Sequence, residues 1–221
     1  AGDLGLADLG LAAPAEQEHV VELDLGADVA GEVLAVGPGA GGARPGDEVV
    51  LNPGVSCGRC RACLSGADNQ CREYSILGEH VSGGYAEQVV VPAQNLLPKP
   101  KSLGFEQAAA VPLVFLTAWH ALVARAAVRA GETLLVHAAG SGVGSAAVQI
   151  GKLLGARVIA TAGSDDKVAK ALALGADHGV NYEKEDFLQV AKRLTDKRGV
   201  DVVFEHTGKS TWEKSLLATA L

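Results

Sequence analysis

The sequence predicts an α/β protein in which an irregular β domain precedes a doubly wound parallel sheet. Up to about residue 104, short apolar runs are separated by Gly and Pro turns, and all four cysteines lie within residues 57–71. From Phe105 onward, strand-like and helix-like segments alternate with short loops. Such alternation is typical of a parallel sheet with helices on both faces. We therefore expect two domains, residues 1–113 and residues 114–221.

The first domain contains three segments with the composition of β-strands. The first two flank the turn Gly37-Pro38-Gly39, and the third follows the cysteines. Glycine and proline at such joints favour a turn over a continued strand. No element is assigned before about Gln17, where no period is evident. The strands are expected at residues 29–36, 45–51 and 84–91.

The second domain begins with a mostly helical stretch, residues 106–127, that is interrupted near Pro112. Four apolar strands follow, and the helices between them end at glycines such as Gly155 and Gly175. Continuous apolar strands indicate burial on both faces. A complete sheet of this kind has six strands, so its second half is expected to be missing. The strands are expected at residues 133–137, 157–161, 180–182 and 201–204, and the helices at 142–154, 166–174, 186–195 and from 211 onward.

Composition narrows the classes of function. The chain has 221 residues, 48% of them hydrophobic, and a net charge of −7. That charge argues against nucleic acid as a partner, because phosphate contacts need clustered Lys and Arg. No apolar run approaches the length of a membrane span, and Ala1–Gly5 lacks the basic start of a signal peptide. We expect a cytoplasmic protein with no membrane partner, and the absence of Met, even at position 1, predicts a fragment or an incompletely determined sequence.

The cysteines predict a structural zinc site. Cys57, Cys60, Cys63 and Cys71 follow the spacing C-x2-C-x2-C-x7-C, and the chain has no other cysteine. Short spacers bring four thiolates onto one tetrahedral ion and leave no open position for water, so the chemistry is expected elsewhere. The alternatives are two disulfides, which need an oxidising compartment, an iron–sulfur cluster, whose usual spacings differ, and cysteines that no longer bind metal.

A glycine-rich turn lies between the first strand and the first helix of the expected sheet. Small residues let the backbone approach a pyrophosphate, and the helix N-terminus supplies N–H groups and the positive end of its dipole. This context favours dinucleotide binding over a tight turn that serves packing alone. The residues expected at the cofactor are Ala139, Gly140, Ser141, Gly142, Val143 and Gly144.

The end of the second strand indicates which dinucleotide is bound. An NAD site usually carries Asp or Glu there, hydrogen-bonded to the ribose 2′-hydroxyl. Here the position is Ala162, so no carboxylate repels a 2′-phosphate, and Ser164 and Lys167 are placed to hold one. The neighbouring Asp165 and Asp166 argue against an anion site. We expect NADP as the cofactor, with NAD as the alternative.

A set of motifs runs in one order from about Gly26 to the C-terminus. They are Gly26-Ala27-Asp28-Val29-Ala30-Gly31, Pro45-Gly46-Asp47-Glu48-Val49, the cysteine lobe, Gly83-Gly84-Tyr85-Ala86-Glu87, Leu116-Thr117-Ala118-Trp119 and the glycine-rich turn. As a set they resemble the medium-chain dehydrogenase/reductase superfamily. The resemblance implies a GroES-like β domain with a zinc lobe, then a Rossmann domain that is partial here, and a small-molecule substrate. It also implies that Thr117 touches the nicotinamide, and that the full-length protein is a homodimer or homotetramer.

The catalytic zinc ligands of the family's alcohol dehydrogenases are not matched. Ala27 stands where the resemblance implies a His ligand, Leu113 stands where it implies a Cys, and no cysteine precedes Cys57. A catalytic zinc needs three protein ligands and an open position. The resemblance then implies the family's branches without catalytic zinc, which reduce a quinone, an enone or an enoyl substrate by passing hydride directly to the acceptor carbon.

The histidines supply the remaining candidates. Glu205-His206-Thr207-Gly208 resembles the Glu-His-x-Gly of enoyl-thioester reductases in this superfamily, which favours an acyl-CoA-like or enone substrate. Because His206 ends a central strand, His206 and Thr207 are expected on the cofactor side. His80 is the candidate donor to a substrate carbonyl, with a surface role as the alternative. His137 shows no partner pattern. Two other functions stay open: a zinc-dependent alcohol dehydrogenase whose ligands lie outside this chain, and an NADPH- or zinc-binding protein without turnover.

Overall fold

Two compact units make up the fold. The computed structural model describes residues 25–220, and the chain divides between Leu113 and Val114. The first unit is built on short antiparallel strands and the second on a parallel sheet. The α/β class expected from the sequence is confirmed.

The first unit is organised around a three-stranded antiparallel sheet. Its elements are the strands β1 (Ala30–Glu32), β2 (Glu48–Leu51), β3 (Gly54–Val55), β4 (Ser75–Ile76) and β5 (Leu96–Pro98), and the helices α1 (Arg61–Leu64) and α2 (Phe105–Ala109). The sheet order is β1-β2-β5, and the central strand β2 is buried from Val49 to Leu51. The buried amide of Asn95 donates to the carbonyl oxygens of Asn52 and Gly54 at 2.7 Å each, which fastens β5 to the start of β3.

The cysteine lobe, residues 57–71, is an excursion from the strands β3 and β4. These strands pair antiparallel, with Gly54 opposite Ile76 and Val55 opposite Ser75. The chain therefore leaves and re-enters the unit at one place. Inside the lobe, α1 and a single 3₁₀ turn give the chain its reversals.

Two strand predictions are wrong, the first in extent and the second altogether. Of residues 29–36 only β1 forms a strand, and residues 84–91 form none in the described part of the chain. Gly84 and Tyr85 donate backbone hydrogen bonds to residues just before β1, whereas Val90 further along is 91% exposed. A strand needs a ladder partner, and strand-like composition does not supply one.

The second unit is a four-stranded parallel sheet with helices on both faces. Its elements are α3 (Pro112–Trp119), which begins at the boundary between the units, β6 (Thr133–Val136), α4 (Gly142–Leu153), β7 (Arg157–Ala162), α5 (Asp165–Ala173), β8 (His178–Asn181), α6 (Phe187–Leu194), β9 (Val202–Phe204) and α7 (Trp212–Ala218). The sheet order is β8-β7-β6-β9. Counted from β6, this is 3-2-1-4, the order of the first four strands of a Rossmann sheet.

Two apolar layers cover the two faces of this sheet. Leu134 and Val136 of β6 pack in the layer that includes α4, whereas Leu135 between them packs in the layer that includes α6. The alternation is the two-residue period of a strand, and all three side chains are fully buried. The sheet is therefore doubly wound, as the sequence predicts.

The helical stretch at the boundary is interrupted near Pro112, as predicted, and ends in a π-helical segment, His120–Arg125. By length and composition, Phe105–Arg125 is sufficient to cross a membrane, which corrects the expectation that no apolar run approaches that length. A core helix of a soluble protein passes the same test, and a turn before Pro112 breaks this stretch. The finding is therefore weak evidence for a membrane span.

Candidate functional site

The four cysteine sulfurs in the first unit come together in one cluster. All lie within 4.8 Å of one another, with 3.9 Å between the Sγ atoms of Cys57 and Cys63 and 3.5 Å between those of Cys60 and Cys63. All four thiols are free, so the disulfide alternative is not realised. Zinc–sulfur bonds of about 2.3 Å in a tetrahedron place the sulfurs about 3.8 Å apart. The cluster therefore fits a tetrahedral Zn²⁺ with little movement.

The backbone of the lobe favours thiolates at part of this cluster. Backbone hydrogen bonds at Arg59 and Cys60 lower the pKa of Cys57 to about 6. A backbone hydrogen bond at Cys57 also lowers the pKa of Cys71, but burial and the thiols of Cys57 and Cys63 outweigh it and raise that pKa to about 11. A bound cation removes this imbalance, because it favours the thiolate at every ligand.

The glycine-rich turn of the second unit connects β6 to α4. Ser141 caps the helix, its Oγ accepting a hydrogen bond from the Gly144 N–H at 3.0 Å. A methyl group on Gly144 would lie 2.3 Å from the carbonyl oxygen of Ala138, so the turn closes only over a glycine. Gly140, Ser141 and Gly142 are exposed, Val143 is half-buried, and Ala139 is buried beneath them. The N-terminal amides of a twelve-residue helix thus open beside an uncovered backbone, which suits a pyrophosphate.

The end of β7 lies beside this turn. The side chain of Lys167 runs along Gly140, where an added methyl group would meet its Cδ at 3.1 Å. Ser164 caps α5 by accepting a hydrogen bond from the Lys167 N–H at 3.3 Å. Asp165 is engaged elsewhere, because its carboxylate accepts from the side chains of Asn181 and Lys184. Of the two carboxylates that argued against an anion site, that of Asp165 is therefore compensated.

Tyr182 is a residue of this region that sequence analysis missed. It follows β8 directly, and its hydroxyl oxygen would lie 2.6 Å from a methyl group placed on Gly163. The side chain is half exposed. Only the order of β7 and β8 in the sheet places Tyr182 beside Gly163, the residue before Ser164, and no local motif marks it.

His206 and Thr207 lie on the loop that follows β9. The Nε2 atom of His206 is 3.0 Å from the carbonyl oxygen of His137, and its ring packs edge-on against Phe204. The backbone N–H of Thr207 donates to Glu205 Oε1 at 2.7 Å. Both residues are exposed at the carboxyl end of the sheet, where β6 and β9 are neighbours. That is the switch point of the strand order, the usual place for a ligand in such sheets.

A buried polar network beneath these loops was also missed, and it corrects the expectation that His137 has no partner pattern. His137 lies 3.1 Å from Thr161 Oγ1 through Nδ1 and 3.0 Å from Ser215 Oγ through Nε2. Burial lowers the pKa of His137 and so favours the neutral ring. No spacing pattern predicts this set, since its members lie after β6, within β7 and within α7.

Glu205 anchors the network. Its carboxylate accepts hydrogen bonds from the Thr207 and Gly208 N–H groups and from the hydroxyls of Thr211 and Ser215. Burial raises the pKa of Glu205, but these four donors outweigh it and bring that pKa to about 2. Glu205 is therefore ionised throughout the physiological range.

The two remaining candidates lie in different units. Thr117 is exposed on α3 in the second unit. His80 is exposed in the first unit, where its Nδ1 accepts a hydrogen bond from the Ile76 N–H at 3.2 Å. The structure thus gathers the glycine-rich turn, Ser164, Lys167 and the loop after β9 into one region of the second unit.

Comparisons with known proteins agree with this arrangement. The family model described as "Alcohol dehydrogenase GroES-like domain" matches residues 6–101. The family model described as "Zinc-binding dehydrogenase" matches residues 142–221. Each match falls in a different unit.

Individual relatives are dehydrogenases and a quinone reductase. Sorbitol dehydrogenase of Bacillus subtilis is 34% identical over 88% of this chain and 55% of its own length, and human quinone oxidoreductase is 30% identical over 86% of this chain and 50% of its own length. A crystal structure of an NAD-dependent alcohol dehydrogenase is 57% identical, with a TM-score of 0.88 over 93% of this chain and 60% of that one. The chain spans about half the length of the curated relatives it matches. The chain belongs to the medium-chain dehydrogenase/reductase superfamily of oxidoreductases.

Proposed function

We propose that this protein is an NADP-preferring oxidoreductase that transfers hydride to a quinone, an enone or an enoyl substrate, with one structural zinc and no catalytic zinc. The observation that carries the proposal is the pairing of a complete glycine-rich turn with Ala27 and Leu113 at the family's catalytic ligand positions. Neither side chain has an atom that binds zinc. The dinucleotide machinery is thus present while two metal ligands are replaced.

The second unit supplies the binding groups for the dinucleotide. The amides at the N-terminus of α4 bind the pyrophosphate, and Ser141 holds that terminus open by capping it. Thr117, His206 and Thr207 are assigned to the nicotinamide half. When bound, NADPH supplies the hydride itself, so the protein's task is to orient the two partners and stabilise the charge that develops on the acceptor.

The preference for NADP is assigned to three side chains around the end of β7. Lys167 presents an ammonium group, Ser164 a hydroxyl and Tyr182 a phenol, and together they offer donors to a 2′-phosphate. Ala162 leaves the position of the NAD-type carboxylate without a charge. A charged donor forms a stronger hydrogen bond with the 2′-phosphate of NADPH than with the 2′-hydroxyl of NADH. NADPH should therefore bind more tightly than NADH.

Titration calorimetry with both dinucleotides tests this assignment. Lys167→Ala should weaken NADPH binding about tenfold and leave NADH binding unchanged, because a hydrogen bond to a charged group is worth about 1.5–3 kcal/mol. Lys170→Ala, on the same helix, is the matched control and should change neither affinity. If the wild-type protein binds NADH more tightly than NADPH and Lys167→Ala changes neither affinity, the NADP preference is rejected.

Metal analysis tests the zinc assignment. About one zinc per chain is expected from a site that uses only the four cysteines. Two per chain would indicate a second, catalytic site and would reject the proposed mechanism.

His80 is the candidate donor to the substrate carbonyl, and His80→Gln should then lower kcat with little change in the affinity for NADPH.

The second candidate is a zinc-dependent alcohol dehydrogenase that uses NAD. The 57% identity to a structure described as an NAD-dependent alcohol dehydrogenase favours it. Alcohol oxidation that a chelator abolishes would establish this alternative. A third outcome, tight NADPH binding with no turnover of quinones, enones or aldehydes, would indicate a binding protein.

For the full-length protein we propose a cytoplasmic homodimer or homotetramer. Light scattering of the purified protein tests the oligomeric state.

A further inference from the structure

The side chains of Glu205, Ser215, His137 and Thr161 form one continuous series of hydrogen bonds beneath the carboxyl end of the sheet. Successive atoms are 2.6, 3.0 and 3.1 Å apart. Ser215 is 2% exposed, and His137 and Thr161 are 1% exposed each. Among the described residues no buried side-chain nitrogen or oxygen lacks a partner. The hydrogen bonding of the network is therefore complete, and three of its members are closed to solvent, while Glu205 at its end is partly exposed.

The direction of these hydrogen bonds follows from the charge on Glu205. An ionised carboxylate only accepts, so Ser215 must donate its single hydroxyl proton to Glu205 Oε2. Ser215 can then offer His137 only a lone pair, and His137 must donate from Nε2. A neutral imidazole with its proton on Nε2 accepts at Nδ1, so the Thr161 hydroxyl donates there. One carboxylate thus determines the tautomer of His137.

The same network joins the two loops assigned to the cofactor. His137 is the residue that immediately precedes the glycine-rich turn, and its carbonyl oxygen accepts a hydrogen bond from the His206 ring. Thr161, at the other end, accepts at its backbone oxygen from the Ala139 N–H at 2.9 Å. Glu205 itself closes the loop after β9 by accepting from the backbone of Thr207 and Gly208.

We propose that Glu205 is a positioning residue whose carboxylate imposes one direction of hydrogen bonding through Ser215 and His137 to Thr161. The series holds the glycine-rich turn and the loop after β9 in the geometry that binds the dinucleotide. Glu205 acts without touching the cofactor, since its two oxygens are already occupied by four protein donors. This inference rests on the proposed dinucleotide site.

Glu205→Gln tests the proposal directly because it keeps the shape of the side chain and replaces one accepting oxygen with a donating NH₂ group. The amide oxygen takes over the backbone N–H groups, and the amide NH₂ then points at Ser215 and donates to it. The Ser215 hydroxyl proton is then released from the carboxylate and can be donated to His137 Nε2, which moves the imidazole proton to Nδ1. Nitrogen-15 NMR of labelled histidine distinguishes the two tautomers. We expect the proton on Nε2 in the wild type and on Nδ1 in Glu205→Gln.

Cofactor affinity is the second readout. Glu205→Gln should weaken NADPH binding about tenfold, the lower end of the loss seen when the hydrogen-bond partner of a metal ligand is removed, with kcat at saturating NADPH less affected. Glu213→Gln, an exposed Glu→Gln change on α7, is the matched control and should alter neither the tautomer nor the affinity. Ser215→Ala interrupts the series at another point and should weaken NADPH binding in the same direction.

The outcomes separate this inference from the proposed function. Three outcomes would overturn the positioning role of Glu205 and leave the proposed function standing. They are a proton on Nδ1 of His137 in the wild type, an unchanged tautomer in Glu205→Gln, and wild-type NADPH affinity in that variant. A wild-type protein that binds neither NADPH nor NADH overturns the proposed function, and the positioning role with it.

Discussion

Gly144, the last glycine of the turn, should not tolerate a side chain. A methyl group there would lie 2.3 Å from the carbonyl oxygen of Ala138 and 2.9 Å from the Ala139 Cα. Close carbon–oxygen contacts in proteins are usually about 3.3 Å or longer, so relieving the contact of Gly144→Ala requires α4 and the turn to separate by up to about 1 Å. Both contacts are with the backbone, and no rotatable side chain is present to relieve the strain.

The expected cost is a balance of two terms. Overpacking costs about 1–3 kcal/mol, the upper part of that range applies here because backbone must move, and the higher helix propensity of alanine returns about 1 kcal/mol. We therefore expect Gly144→Ala to lower the free energy of unfolding of the second unit by about 2 kcal/mol. In a domain of about 100 residues that corresponds to a fall in Tm of about 10 °C.

Thermal unfolding followed by circular dichroism measures this effect, with Gly140→Ala in the same turn as the control. The methyl group added there would meet the Lys167 side chain at 3.1 Å, and that side chain can move. We expect Gly140→Ala to stay within about 0.5 kcal/mol of the wild type. Equal Tm values for Gly144→Ala and the wild type would refute the steric reasoning, and so would equal losses in the two variants.

Three further perturbations address other parts of the molecule. Asn95→Ala removes the donor from the carbonyl oxygens of Asn52, which is part-buried, and Gly54, which is buried, and should lower the free energy of unfolding by about 1–3 kcal/mol in a urea titration; an unchanged midpoint would contradict this. Cys71→Ser should remove about one zinc per chain, measured by mass spectrometry of the metal, and should lower the Tm of the first unit. Full retention of zinc would reject the four-cysteine site. Acidification should destabilise the second unit in two stages. Burial lowers the pKa of His137 from its ordinary 6.5, so the unfolded chain begins to take up a proton, and stability to fall, below about pH 6.5. The folded pKa of Glu205 is about 2 against an ordinary 4.5, so its contribution is complete above about pH 4.5 and is lost as the pH falls toward 2. Urea midpoints that do not change between pH 7 and pH 4 would contradict the burial of a neutral His137.

The parallel sheet could be predicted closely because its signals are local. The helices α4 and α5 each end two residues before a glycine, Gly155 and Gly175, whose φ of +78° and +108° terminate a helix by their own backbone geometry. The meeting of the four cysteines could likewise be predicted, because the short spacers between them keep their sulfur atoms close together.

Other features depend on partners that sequence does not mark. Residues 84–91 have the composition of a strand, but a ladder needs a neighbour. Ser215 meets His137 across 78 residues, and only the order of β6 and β9 in the sheet brings them together. Tyr182 reaches the end of β7 in the same way. Long-range pairing of this kind is a property of the topology, and no local window contains it.

The pairing of β3 with β4 makes the cysteine lobe a separable module. Because the chain departs at Val55 and returns at Ser75, two residues that face each other, the ends of the lobe are already as close as those of a hairpin. A short turn in place of the lobe would leave the register of both strands unchanged. Insertions and deletions within the lobe therefore leave the pairing of β3 with β4 intact. A lineage of such proteins can lengthen, shorten or lose its metal lobe while the sheet that carries it persists.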